Sequence, residues 1–160
     1  MANTIGKTSL HETGPHTLMG QLLRRFWHPV ALASDVGRGQ AAPLRVMCED
    51  LTLYRGESGE PHLVGGRCAH RCSLLHTGAV HGDDIACMYH GWRFDAGGVC
   101  VDIPAEKQAR KNPPRIAAYT VHEYGGLIFA WLGPLPAPAF DLPRKDVMED
   151  ARFHVLAKIG

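Results

Sequence analysis

No stretch of the 160 residues approaches the roughly 20 consecutive apolar positions that span a bilayer, and the opening "MANTIGKTSLHETGPHTLMGQ" lacks the apolar centre of a secretion signal. The expectation is a soluble, unexported, cytoplasmic protein without a membrane partner. Charge of one sign is also missing, because 17 Lys and Arg stand interspersed against 16 Asp and Glu for a formal net charge of +1. That balance excludes the basic footprint of a nucleic-acid binder. An even cysteine count is absent too: Cys48, Cys68, Cys72, Cys87 and Cys100 make 5, which no complete disulfide framework can use. A reducing compartment is expected, with some thiols kept for a metal. The length itself allows one sizeable core and excludes two large domains.

What is present is mostly β pattern. "TLMGQLLRRFWHPV" places Leu18, Leu22 and Leu23 at helical spacing, with Pro15 ahead as a starter and Pro29 behind as a stop, so one short N-terminal helix is expected. Its leucine stripe reads as core packing or, less simply, as an oligomer contact. From Val30 the period shortens: "LRVMC" and "LTLYRG" flank Glu49-Asp50 as strand, turn, strand, and "SGE" supplies the next turn before "PHLVGG". Residues 66–103 are rich in Gly, Cys and His with only short apolar runs, which suggests loops held by something other than a core, in a small inserted subdomain. "AAYTVHEYGGLIFAWLG" resumes the strands around a turn at Glu123 to Gly126, and "GPLPAPAFDLP" is expected to close the sheet.

Two short stretches carry the chemistry. "CAHRC" offers Cys68 and His70, and "CMYHGW" offers Cys87 and His90, a C-x-H and a C-x2-H separated by 16 residues. Two thiolates and two imidazoles suit either a tetrahedral zinc or a [2Fe–2S] cluster with two histidines on one iron and two cysteines on the other. Donors two residues apart chelate one tetrahedral ion awkwardly but can reach irons on opposite sides of a sulfide bridge. Gly65, Gly66, Gly78, Gly82, Gly91, Gly97 and Gly98 would let backbone N–H groups approach the cluster sulfurs.

"CAHRC…CMYHGWRFD" resembles the Rieske signature. With "GPHTLMGQLLRRFWHPVAL", "VDIPAE" and "YGGLIFAWLGP", the chain is similar over residues 13–143 to the N-terminal Rieske domain of phthalate 4,5-dioxygenase-type aromatic ring-hydroxylating oxygenases. The resemblance implies a mainly β fold, an antiparallel sandwich or barrel of Rieske type with an inserted cluster-binding subdomain at 66–103. It divides the chain into a polar lead at 1–14, the domain at 15–143, and a linker at 144–160 leading to a catalytic domain. Cys68 and Cys87 would bind one iron of a single [2Fe–2S] cluster, and His70 and His90 the other. In that family a separate reductase supplies electrons, and the cluster passes them to a mononuclear Fe(II) in the catalytic domain of the same or a neighbouring subunit. There O2 attacks an aromatic substrate, and the full-length enzyme is a homo-oligomer, a trimer. The alternative is a stand-alone Rieske-type ferredoxin, for which the helix and the tail would be superfluous.

The 2-His-1-carboxylate iron site of such oxygenases has no candidate here. The pairs His11/His16 and His76/His81, the latter followed by Asp83 and Asp84, have chance-level spacing and read as solvated loop histidines. Cys72 reads as a free thiol packed beside the loop, because Met88-Tyr89 offers no partner for a cluster-flanking disulfide. Cys48 and Cys100 alternate with strand residues and read as buried small hydrophobes. Arg71 and Trp92 are either docking groups or loop packing, and Lys107, Arg110 and Lys111 either steer an acidic donor or form a solvated loop.

In high-potential respiratory Rieske proteins, hydroxyl donors stand two and four residues after the histidine that matches His90. Those offsets carry Trp92 and Phe94 here, and neither has a hydroxyl. The midpoint potential is therefore expected in the lower half of the roughly −150 to +300 mV Rieske range, and protein-film voltammetry giving a value in the upper half would contradict it.

Overall fold

The computed structural model describes residues 11–108, 110–142 and Asp150. The expected linker at 144–160 and the first 10 residues of the lead lie outside the described residues, Asp150 excepted. The regular structure of the described residues is almost wholly antiparallel β. A six-stranded sheet runs β1 (Trp27–Leu32), β10 (Leu127–Trp131), β9 (Ala118–Tyr124), β4 (Pro61–Gly65), β3 (Glu49–Arg55), β2 (Ala41–Val46). A four-stranded meander, β5 (Ala79–His81), β6 (Asp84–Ala86), β7 (Arg93–Phe94) and β8 (Cys100–Asp102), is inserted between β4 and β9. Its four strands fall within residues 79–102, so the segment is not merely a set of loops. Leu75, Ile85, Phe94 and Cys100 are buried there with Tyr54 and Val64 of the large sheet. Each large apolar side chain so buried contributes on the order of 1.5–3 kcal/mol.

Pro29 does not end the helix; it lies inside β1. The tolerance has two causes. β1 is an edge strand, and the β1–β10 register shifts between Pro29 and Ala31, so the missing N–H falls at a bulge. The first hairpin turn is Met47-Cys48, not Glu49-Asp50, with left-handed φ values of 45° and 66°. Glu49 and Asp50 belong to β3 because each has a partner to meet there: Arg45 pairs with Asp50 across the strands, and Glu49 reaches Arg24. Cys48 is consequently exposed at the turn rather than buried, whereas Cys100 is buried as expected. Among its described residues, 133–142, "GPLPAPAFDLP" adds no strand. It instead lays Phe140 against Trp27, His122 and Phe129 at ring separations of 5.2, 4.2 and 5.1 Å.

The helix α1 (Leu18–Leu23) is capped by Thr17, whose hydroxyl accepts from the Gly20 N–H at 3.1 Å. Its buried face is not the leucine stripe. Leu18 and Leu22 are 64% and 52% exposed, while Gly20 and Arg24 face inward. Gly20 is there because a Cβ would lie 2.0 Å from the Gly14 carbonyl oxygen. The Arg24 guanidinium donates to the carbonyls of Thr13, Gly20 and Met47 and, at 2.6 Å, to Glu49. The second Glu49 oxygen accepts from the Tyr119 hydroxyl at 2.5 Å, so one carboxylate ties the helix, β3 and β9 together. Burial, aided by that carboxylate, pushes the Tyr119 hydroxyl far above its ordinary pKa.

Glu49→Ala would strand an arginine whose side chain is only 7% exposed. It is expected to lower the unfolding free energy by about 3 kcal/mol, and Glu49→Gln by less because an acceptor remains. Urea titration followed by Trp fluorescence checks both.

Candidate metal centre

Two six-residue hairpin tips, built alike, carry the four singled-out residues. The first leaves and re-enters the chain at the bridge Arg67↔Leu74, the second at the β6–β7 pair Ala86↔Arg93. In the first, the Cys68 N–H donates to the Ser73 carbonyl at 2.9 Å and the Cys72 N–H to the Cys68 carbonyl at 3.0 Å. In the second, the Cys87 N–H donates to the Trp92 carbonyl at 2.8 Å and the Gly91 N–H to the Cys87 carbonyl at 2.9 Å. The fifth residue of each tip turns left-handed, Cys72 with φ 56° and Gly91 with φ 72°. Chain reversal at that position is the local reason for "CAHRCS" and "CMYHGW" having one shape.

The shape sorts the donors. Each tip opens on a cysteine that faces inward, so Cys68 and Cys87 are 2% and 3% exposed and their thiols lie within hydrogen-bond reach of one another. Burial pushes the Cys68 thiol up, while the backbone N–H groups of His70 and Arg71 act in the opposite direction by pointing at its sulfur. Those two amides are available as donors to the Cys68 sulfur. Among the glycines of this segment, Gly78 also answers a packing requirement, because a Cβ there would fall 1.9 Å from the Ala86 carbonyl oxygen.

His70 and His90 come to the outer surface, both exposed, with ring centroids 4.6 Å apart at 60°. Desolvation by its neighbours lowers the His70 pKa from its ordinary value, with the nearby His90 and Arg71 adding to the effect. Trp92 stacks on His70 at 4.6 Å and 4°, and Tyr89 lies against His90 at 3.8 Å and 36°. Among the described residues, no three His, Cys, Asp or Glu side chains gather as a single-ion site requires. Sulfur faces sulfur and imidazole faces imidazole, a division suited to two metal ions with two protein donors each.

The remaining candidates are not brought into this group. Cys72 is a free, exposed thiol rather than one packed against the loop. His76 lies in the short helical turn Leu75–Thr77 and His81 at the end of β5, and neither gathers with the four donors. Arg71 is exposed beside His70. Glu106, not singled out from the sequence, holds Arg110 by a bidentate contact and thereby places its guanidinium 5.9 Å over the Trp92 ring. Its signal was available in the i, i+4 spacing of opposite charges.

The Rieske [2Fe–2S] domain family matches residues 26–123. The 5,5'-dehydrodivanillate O-demethylase oxygenase subunit of Sphingobium sp. is 45% identical over 134 residues, which cover 81% of this chain and 32% of that protein. The phthalate 4,5-dioxygenase oxygenase subunit of Pseudomonas putida is 32% identical over 146 residues, covering 88% and 33%. Dicamba monooxygenase, solved with non-haem iron and dicamba, superposes with a TM-score of 0.73 at 26% identity over 82% of this chain and 40% of that one. The chain spans about a third of the length of these curated relatives.

The matched tips generate an asymmetric expectation. Gly91→Ala puts a side chain on a left-handed residue with a Cβ 3.0 Å from Pro104; it should cost roughly 1–2 kcal/mol. Cys72→Gly relieves the same conformation in the first tip and should be neutral or stabilising by up to about 1 kcal/mol after the entropy of glycine is subtracted. Urea midpoints of the two variants should move in opposite directions, or the second should not move at all.

Proposed function

The chain belongs to the Rieske [2Fe–2S] domain family, and on that footing we propose that it is the electron-transfer part of an aromatic-compound oxygenase. It receives single electrons from a reductase system and hands them to a mononuclear non-haem iron in a catalytic domain. The observation that carries this reading is the paired hairpin tip, which sets two buried thiols side by side and two imidazoles at the surface above them. We assign Cys68 and Cys87 to one iron and His70 and His90 to the other, so that each tip spans both irons. When bound, the cluster supplies a one-electron relay that needs no bond to form or break. The protein's own share is division of environment. Cys68 and Cys87 close the sulfur end against water, and the backbone N–H groups of His70 and Arg71 favour added electron density on sulfur. His70 and His90 keep the other end where a partner can reach it.

Residues 15–143 form the domain in this reading, with the cluster held by 66–103. Similarity to an oxygenase subunit runs over 134 residues, more than the 26–123 that the domain family itself matches. A minimal carrier has no use for that extra length, so the stand-alone ferredoxin alternative is set aside. The names of the O-demethylase and phthalate dioxygenase relatives support an aromatic acid or aryl ether as substrate, with hydroxylation or O-demethylation as the reaction. Free Cys48 and Cys72 on the surface fit a reducing compartment. Among the described residues, no helix is long and apolar enough to cross a membrane.

The test is composition and spectroscopy of the chain prepared without oxygen. Two irons and two acid-labile sulfides per chain, with the EPR signal of a histidine-ligated cluster on one-electron reduction, are expected. His90→Ala and His70→Ala should lose that signal, and stoichiometric zinc with no sulfide would refute the assignment.

A further inference from the structure

The two imidazoles reach different surfaces. Beside His90 lie Met88 and Tyr89, 70% and 59% exposed, an apolar flank. Beside His70 lies Trp92, and over the indole stands Arg110, fixed by Glu106, on a loop that also exposes Lys107 and Lys111. A cleft of about 480 Å³ opens next to it between β8 and this loop, lined by Cys100, Asp102, Glu106, Lys107 and Arg110 among others. Interfaces that persist are apolar, whereas partners that must dock and leave use small, polar, electrostatically steered contacts. An electron carrier needs one of each, and the two flanks differ in the matching way.

We infer that Trp92 is the point of electron entry: an acidic one-electron donor protein docks over Trp92, Lys107, Arg110 and Lys111, and its electron reaches His70 through the indole. The Met88–Tyr89 flank and His90 are left for delivery. The inference rests on the ligand assignment proposed above. In the step, the reduced donor, an iron–sulfur or flavin protein, loses one electron and the iron held by the histidines gains it. No proton or leaving group is involved. The parallel 4.6 Å stack provides the contact, since the indole face meets the imidazole face with no intervening atoms. Lys107 and Lys111 supply the steering charge, because Arg110 is already compensated by Glu106 and chiefly holds the indole.

The test uses the cluster-loaded chain and its variants, with a reduced plant-type [2Fe–2S] ferredoxin as an acidic donor of lower potential than Rieske centres. Stopped-flow bleaching gives the second-order rate constant, protein-film voltammetry the midpoint, and EPR the ligand field. Trp92→Leu should slow reduction by ferredoxin several-fold while leaving reduction by dithionite, the midpoint and the EPR spectrum as in the parent. Trp92→Phe, which keeps a stacking ring, should restore most of the rate and guards against a folding artefact. Lys107→Glu with Lys111→Glu should lower the low-salt rate about tenfold and flatten its dependence on ionic strength. A parent rate in Trp92→Leu overturns the entry route, and so does a shifted midpoint or EPR spectrum, which would reduce Trp92 to packing around His70. A parent chain without the cluster's EPR signal overturns the ligand assignment as well, which separates the two failures.

Discussion

Everything at the cluster end depends on one backbone constraint used twice. A six-residue tip closed by two amide hydrogen bonds, with its fifth residue left-handed, forces its first side chain inward and its histidine outward. The histidine is third in one tip and fourth in the other, so the two copies are not interchangeable: His70 leans on Trp92 and His90 on Tyr89. The second tip meets the left-handed requirement with Gly91. The first meets it with Cys72 and compensates with an Arg67 side chain that donates to the Cys72 carbonyl at 3.2 Å.

Two tips are of use only if they are held side by side, and that is the work of the small core beneath them. Leu75 follows the first tip, Ile85 precedes the second and Phe94 follows it, all with 0% exposure against Tyr54 of the large sheet. The Tyr54 hydroxyl donates to the Asp83 carbonyl at 3.0 Å, anchoring the β5–β6 turn to the large sheet. Nearby, the His62 ring lies tilted at 39° against Tyr54, and burial lowers its pKa despite Asp83 at 4.0 Å, so desolvation outweighs the ion pair there. The large sheet is in turn tied to the helix by Arg24 and Glu49, a charged seam in place of an apolar one. The seam has a consequence for the surface: with Arg24 and Gly20 turned inward, Leu18, Leu22 and Phe26 point out.

The division of the cluster end into an apolar flank and a cationic flank connects fold to function. The flanks come from separate segments, Met88 and Tyr89 on one side and Lys107, Arg110 and Lys111 on the other, and the contacts of Trp92 with His70 and Arg110 bring the second to the imidazoles. The Glu106–Arg110 pair is local, but its target, Trp92, is not.

The sequence by itself determined the four metal-binding candidates, the family and the antiparallel β class, because Cys and His at those spacings have few other uses and because period-2 patterns and glycine turns are local properties. It also placed a turn at Glu123 to Gly126, of which Glu123 and Tyr124 remain in β9 and Gly125-Gly126, with φ 57° and 78°, make the reversal. Tertiary structure decided the rest. Glu49 and Asp50 look like turn residues, yet their carboxylates have partners on Arg24 and Arg45, so the turn moved to Met47-Cys48 and Cys48 came to the surface. Pro29 looks like a stop, yet an edge strand with a bulge accommodates it. The leucine stripe looks like core, yet a buried guanidinium had already claimed the inner face of α1. In each case the local signal was real and tertiary context overrode it: the Arg24–Glu49 pair, 25 residues apart, for the turn and the helix face, and a place at the sheet edge for Pro29.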